Sequence, residues 1–363
     1  MVLGLALALL VTMPSPGSSR SSGALPIRAE RHGVSAATAR PPAKPRRLYW
    51  GAWIGAQFTG VEAPWDMNAV RKFTRLTGKR LSLIHFSAPF ADCRTIICVP
   101  YAFPTQAFSN VRRYGAIPFF SWGSSARTVK ARRAATYAAF ALRTIIAGKH
   151  DPYIRAWAIA ARNWGHPFFL QYDWEMNGSW YPWSEGVAGN RPGEFVRAWR
   201  HVHDIFTKVG ATNVTWVWCP NSDPGGVFSP LYPLYPGSAY VDWTCINVYN
   251  RAKPWLTFDT LFSSTYNLVS LIAPTKPIAI GEIGTTEQGG SKARWITDVL
   301  TKIPARYPLV RAFLWFEKYD SGYDWPIETS RASTRAFARG IASPLYASNV
   351  FDALPAGRIR PPN

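Results

Sequence analysis

Two glutamates stand at the ends of runs that are otherwise apolar. Glu175 closes Phe168-Phe169-Leu170-Gln171-Tyr172-Asp173-Trp174, and Glu282 closes Pro277-Ile278-Ala279-Ile280-Gly281. The chain has only 21 acidic residues, and a carboxyl group at the end of a buried strand must be solvated, paired or put to chemical use. Two such groups facing each other can cleave a glycosidic bond. One, protonated, helps the leaving oxygen depart; the other, ionised, attacks the anomeric carbon. With retention of configuration the two stand about 5–5.5 Å apart. For either glutamate alone, a polar cap bonded to nearby arginine or backbone is the competing expectation.

The elements that must hold them are also legible. Eight short β-rich runs, at residues 49–54, 80–86, 116–122, 167–175, 213–219, 241–249, 277–282 and 311–316, alternate with helical patterns. That order predicts an α/β fold, a (β/α)8 TIM barrel. Apolar spacing places helices over residues 67–76, 136–147, 153–163 and 195–209, with Gly78 and Gly210 where helix-ending glycines belong. The C-terminal strand ends of such a barrel form its reactive face. Trp122, Glu175, Asn221, Tyr249, Glu282 and Trp315 all fall there, and His85 ends the second strand. No His or Cys cluster has zinc-ligand spacing, and neither a metal nor a cofactor is expected.

The stretch Glu175-Met176-Asn177-Gly178-Ser179-Trp180-Tyr181-Pro182-Trp183 resembles glycoside hydrolase family 26, of the large clan of retaining barrels. The family's pattern is a glutamate, then Met-Asn-Gly, then a tryptophan five residues after the glutamate at the subsite of bond cleavage; here that residue is Trp180. The resemblance continues through residues 198–202, 210–218, 236–243 and 277–284 and ends at Trp315-Phe316, covering roughly residues 49 to 340. It implies that Glu175 is the acid/base, Glu282 the nucleophile, Tyr249 a hydroxyl partner of the nucleophile and Trp315 a wall of the sugar subsite. One departure stands out. Where the family carries His before the acid/base, this chain has Trp174, whose indole donates one hydrogen bond and accepts none.

Other residues have two expectations each. His85 is a sugar contact or a satisfied core histidine. Asn177 and Asn221 donate to substrate hydroxyls or serve tight turns. Asp242 caps or pairs structurally. Glu317 is the strongest rival carboxylate, and its neighbour Lys318 favours a salt-bridged role.

Composition limits the rest. Residues 1–19 read as a signal peptide or a short uncleaved anchor, 20–47 as a basic, Pro/Ser/Ala-rich linker, 48–345 as the barrel and 346–363 as a C-terminal tail. This organisation predicts a secreted, extracellular or envelope-associated monomer without a stable membrane span beyond such an anchor. The net charge of +20 lies partly in the linker and otherwise looks scattered among helices, a basic surface rather than a nucleic-acid reader. Four cysteines allow three pairings. Cys93 with Cys98 and Cys219 with Cys245 are the expected ones, with Cys219 and Cys245 free and buried as the alternative.

The expected activity is endo-hydrolysis of a β-linked polysaccharide with retention. By family analogy β-1,4-mannan leads, with β-1,3-1,4-glucan or xylan behind it. A transglycosylase shares every residue named. A silent polysaccharide- or envelope-binding barrel has no need of two facing carboxyl groups.

Overall fold

The structure, a computed structural model, describes residues 46–363. The expected signal or anchor segment and almost all of the basic linker lie outside the described residues. Eight parallel strands form a closed ring: β1 (Leu48–Ile54), β2 (Leu83–Asp92), β3 (Ile117–Arg127), β4 (Phe168–Tyr172), β5 (Val214–Trp218), β6 (Trp243–Asn250), β7 (Ile278–Thr285) and β8 (Val310–Glu317). The ring closes where Gly51 of β1 pairs with Leu83 of β2. A Cβ on Gly51 would lie 2.2 Å from the Leu83 carbonyl oxygen, so this contact requires glycine.

Strand alternation sorts the side chains. Tyr49, Leu83, Phe119, Phe169, Val217, Trp243 and Leu314 fill the barrel interior. Trp50, Ile84, Phe120, Leu170, Trp216 and Phe313 point outward into the layer shared with the helices. Tyr49 and Trp243 meet across the interior at 6.4 Å, while Phe120 stacks on Trp157 of a surrounding helix at 5.6 Å.

The helices begin and end for local reasons. α1 (Met67–Thr77) is capped by the Asp66 carboxylate, which accepts from Asn68 N at 2.8 Å, and ends at Gly78 with φ 69°. The single helix expected over 136–147 is broken into Arg133–Ala139 and Leu142–Ile146. Between them Phe140 is buried against Phe90 and His150, and the second helix is capped from outside, Leu142 N donating to Asn190 Oδ1 at 2.8 Å.

Two strand boundaries matter for the site. β2 and β3 run past their expected ends to pair Asp92 with Arg127, and a short strand, Val99–Pro100, folds back on β2. β4 stops at Tyr172 rather than Glu175, because Asp173 and Glu175 adopt left-handed φ values of 42° and 54°. The segment expected as a tail is packed. Tyr346–Ala347 pair in parallel with Leu48 and Tyr49, and Ile359 is buried, its carbonyl accepting from Trp243 Nε1 at 2.8 Å. Cys93 is joined to Cys98, and Cys219 to Cys245.

Candidate active site

A cleft of about 630 Å³ opens at the C-terminal strand ends, and both glutamates line it. Glu175 reaches it through strained backbone. Left-handed φ at a non-glycine residue costs on the order of 1 kcal/mol, and a hydrogen bond from Glu175 N to Cys219 O at 2.7 Å holds the chain there. Asp173 braces the same turn. Its buried carboxyl group accepts from Ser124 N and Ser124 Oγ, each at 2.6 Å, and burial pushes its pKa up to about 7.

Glu282 arrives by a different device. Cys245 pairs with Ala279 but Asn247 pairs with Glu282, so β7 carries one extra residue there, a bulge. Gly281 and Glu282 therefore both face inward, where strict alternation from Ala279 would turn Glu282 outward. Gly281 leaves the necessary room: a Cβ would lie 2.5 Å from Cys245 Sγ and 2.8 Å from Asn247 Oδ1.

The two carboxyl groups have different partners. Glu175 accepts from Asn247 Nδ2 at 2.9 Å and from Trp180 Nε1 at 2.8 Å. Glu282 accepts from the Tyr249 hydroxyl. Burial raises the pKa of Glu175 and is eased by its amide and indole donors. Glu282 is pushed up to about 8, first by burial and then by the nearby charge of Glu175. Two buried carboxyl groups that repel each other do not both ionise near neutrality, so the pair retains one proton. Tyr249 is held well above its ordinary range by burial and by both carboxylates, which keeps its O–H a donor.

Trp174, Trp180 and Asn221 line the cleft with Tyr249. The Trp174 indole spends its N–H on the Tyr181 hydroxyl at 3.0 Å, so Tyr181 is the polar group presented beside it. Four expected substrate contacts are placed elsewhere. Trp122 is fully buried outside the barrel, stacked on Trp157 at 4.4 Å. Trp315 is likewise turned outward against Phe337 and Trp295, and Phe316, one residue on, forms the cleft wall. Both errors have one cause: a strand-end residue reaches the mouth only if its alternation points inward. His85 does point inward, but one layer too deep. It is fully buried under Trp53 and bonded to Ser121 Oγ at 2.6 Å, and burial drives its pKa to about 3, so the ring is neutral. Asn177 is buried beneath the mouth, its side chain clamping Asn221 by both backbone groups, at 2.9 and 2.8 Å.

Glu317 is also corrected. Lys318 turns to Glu62 at 2.7 Å, and Glu317 is buried outside the cleft, accepting from Ile327 N at 3.0 Å. Asp242 accepts from Trp216 N at 2.9 Å and pairs with Arg358 at 2.6 Å.

Sequence reasoning missed Asn247, which shares a strand face with Tyr249 two residues on, a signal that alternation offered. It missed Arg251 as well, whose guanidinium lies 5.3 Å from the Tyr249 ring centre at the cleft wall. Among the described residues, no group of three or more His, Cys, Asp or Glu side chains is placed to hold a metal ion, and no helix is long and apolar enough to cross a membrane.

A (β/α)8 barrel with two buried carboxyl groups in an aromatic cleft at its strand ends has the architecture of a glycoside hydrolase. The chain belongs to glycosyl hydrolase family 26, whose family model matches residues 152–336. Endoglucanase H of Acetivibrio thermocellus is 33% identical over 306 residues, which are 81% of this chain and 30% of that protein. This chain therefore spans less than a third of that relative's length. Among solved structures, the catalytic domain of the Bacillus sp. JAMB-750 endo-β-1,4-mannanase aligns with TM-score 0.64 at 15% identity, covering 86% of this chain and 92% of that one. A double mutant of the Cellulomonas fimi endo-β-1,4-mannanase aligns with TM-score 0.61 at 18% identity, covering 87% and 76%. These likenesses establish the shared fold.

Proposed function

We propose that this protein hydrolyses a neutral β-linked polysaccharide internally and with retention, Glu282 acting as nucleophile and Glu175 as acid/base. The observation that carries the reading is the difference between the two carboxyl groups' partners: a hydroxyl donor on Glu282, an amide and an indole on Glu175. Glu282 attacks the anomeric carbon as the glycosidic C–O bond breaks, and Glu175 gives its proton to the departing oxygen. Water then adds to the glycosyl-enzyme ester, losing its proton to Glu175 and releasing Glu282. Trp180, exposed beside Glu175, and Phe316, which also lines the cleft, supply apolar surface for the sugar rings.

For the substrate, the name of the 33% identical endoglucanase supports a glucan, while the mannanases resemble this chain in fold alone. β-Mannan is the second reading, supported by analogy with the family to which the Met-Asn-Gly and Trp180 motif belongs. Export goes with either, because two disulfides among the described residues call for an oxidising compartment.

The test is hydrolysis of mixed-linkage glucan, mannan, glucomannan and xylan, with the anomer of the first product followed by proton NMR. A β-anomer at early times from one polymer fits the proposal, and an α-anomer overturns the assignment of Glu282. Added acceptor sugars separate hydrolysis from transglycosylation.

A further inference from the structure

The charge that looks scattered in the sequence is gathered in one sector of the barrel. Residues 67–150 carry fourteen lysines and arginines against a single carboxylate, Asp92, whereas residues 151–363 carry twenty against seventeen. Asp92 is itself held by Arg94 at 2.6 Å. Among the described residues, no other base of this sector lies within ion-pair distance of a carboxylate.

At the C-terminal end of β2, on the same face as the cleft, this sector carries an apolar tip. The Cys93–Cys98 disulfide closes a loop in which Ile96 and Ile97 are 87% and 72% exposed, with Val99 at 60%. Val129, 42% exposed, joins them from the loop after β3. Two contacts tie the loops together, Cys93 N donating to Arg127 O at 2.7 Å and the Arg132 guanidinium to Ile96 O at 3.2 Å. Arg94, Arg127, Lys130 and Arg133 surround the tip, all exposed.

We propose that this stapled loop docks the enzyme on an anionic lipid surface, the aliphatic tip entering the headgroup layer and the basic rim meeting lipid phosphates. Three features select that occupant. Polysaccharide is gripped by flat aromatic faces and hydrogen-bonding side chains, and this tip offers only branched aliphatics. A rim whose one carboxylate, Asp92, is already bonded to Arg94 keeps a net positive charge, which matches an anionic surface and repels a second copy of the same rim. The disulfide limits the loop's freedom, so presenting bare isoleucines to lipid costs little further ordering. Docking in this way would hold the cleft at the membrane face and concentrate the enzyme on polymers lying close to it. The proposal is independent of which polysaccharide is cut.

The test is co-sedimentation of the full chain with phosphatidylcholine vesicles containing or lacking phosphatidylglycerol. The anionic vesicles are expected to retain the wild type, and salt to weaken that retention. Ile96→Ser with Ile97→Ser, and separately Arg127→Glu with Arg133→Glu, should each weaken binding by about tenfold or more. Leu271→Ser, an equally bare aliphatic on the far helix Phe258–Ile272, should change nothing. Unchanged thermal midpoints certify the folds. Binding that survives both pairs of substitutions, or that ignores lipid charge, overturns the proposal and points to the N-terminal segment common to all variants. A dimer that dissociates in the serine variants, or a weaker KM for soluble polysaccharide without vesicles, overturns it in favour of self-association or substrate contact.

Discussion

Two sets of carboxyl groups occupy the upper end of this barrel, and only one faces the cleft. Glu317 is as deeply buried as Glu282, and its pKa is raised well above the usual range by burial and by neighbouring Glu328. Glu282 is raised for the same kinds of reason, by burial and by Glu175. Their surroundings differ. Glu317 accepts from a backbone N–H and sits beside the buried Lys292, whereas Glu282 meets a tyrosine hydroxyl at the wall of an open cleft. A perturbed carboxyl group is therefore a consequence of burial, and becomes a candidate for catalysis only where a substrate can reach it.

The sharpest way to break that comparison is to neutralise each group in turn. Glu175→Gln and Glu282→Gln should each lower kcat/KM by about 10²–10⁴-fold, while Glu317→Gln leaves it unchanged; a collapse in the third variant would exchange the roles. Chemical denaturation should reverse the ranking. Glu317→Ala leaves a cavity and an unpaired Ile327 N–H and is expected to cost about 2–4 kcal/mol, with Glu282→Gln close to neutral. Tyr249→Phe removes a donor to a charged group and should lower kcat/KM by about 10–100-fold. Because that hydroxyl favours ionised Glu282, its loss should also move the acid limb of the pH profile to higher pH.

The pH dependence of stability adds a further contrast. Glu175 and Glu282 titrate as a pair, and burial with mutual repulsion pushes the titration at Glu282 up to about 8 against the ordinary 4.5, so the folded pair holds its shared proton more tightly than the unfolded chain. That contribution is complete below pH 4.5 and is lost as pH rises through 8. Wild-type unfolding free energy should therefore fall relative to Glu282→Gln across that window, and parallel curves would show that the two states bind this proton equally. The smallest effect concerns neighbours on β8. Phe316→Ala should raise KM, whereas Trp315→Phe should act mainly on stability, costing about 2 kcal/mol through lost volume and the unpaired Trp325 carbonyl.

Much of the site could be read from the chain, for reasons that differ by residue. Glu175 and Trp180 sit five residues apart in a tight loop, so their hydrogen bond is a local matter and a contiguous motif records it. Tyr249 follows from its place at a strand end with inward alternation. Trp122 and Trp315 show the limit, since counting to the end of a strand without following the alternation puts a side chain on the wrong side of the sheet. Phe316 and Asn247 were available to the same count, correctly phased.

The sequence by itself determined the barrel, because alternating short β-rich runs and helical periods are local patterns that have one efficient way to bury both faces of eight strands. It also determined which stretch of chain holds each glutamate. Only the tertiary structure decided that Glu282 faces inward, since the bulge that turns it depends on Gly281 leaving room for Cys245 and Asn247 of the adjacent strand. It likewise decided that His85 stops one layer short of the cleft and that Arg94, Arg127, Lys130 and Arg133, from two separate loops, come together around one apolar tip. Depth, adjacency and the facing that a bulge resets depend on contacts between residues far apart in the chain, and local sequence patterns do not encode them.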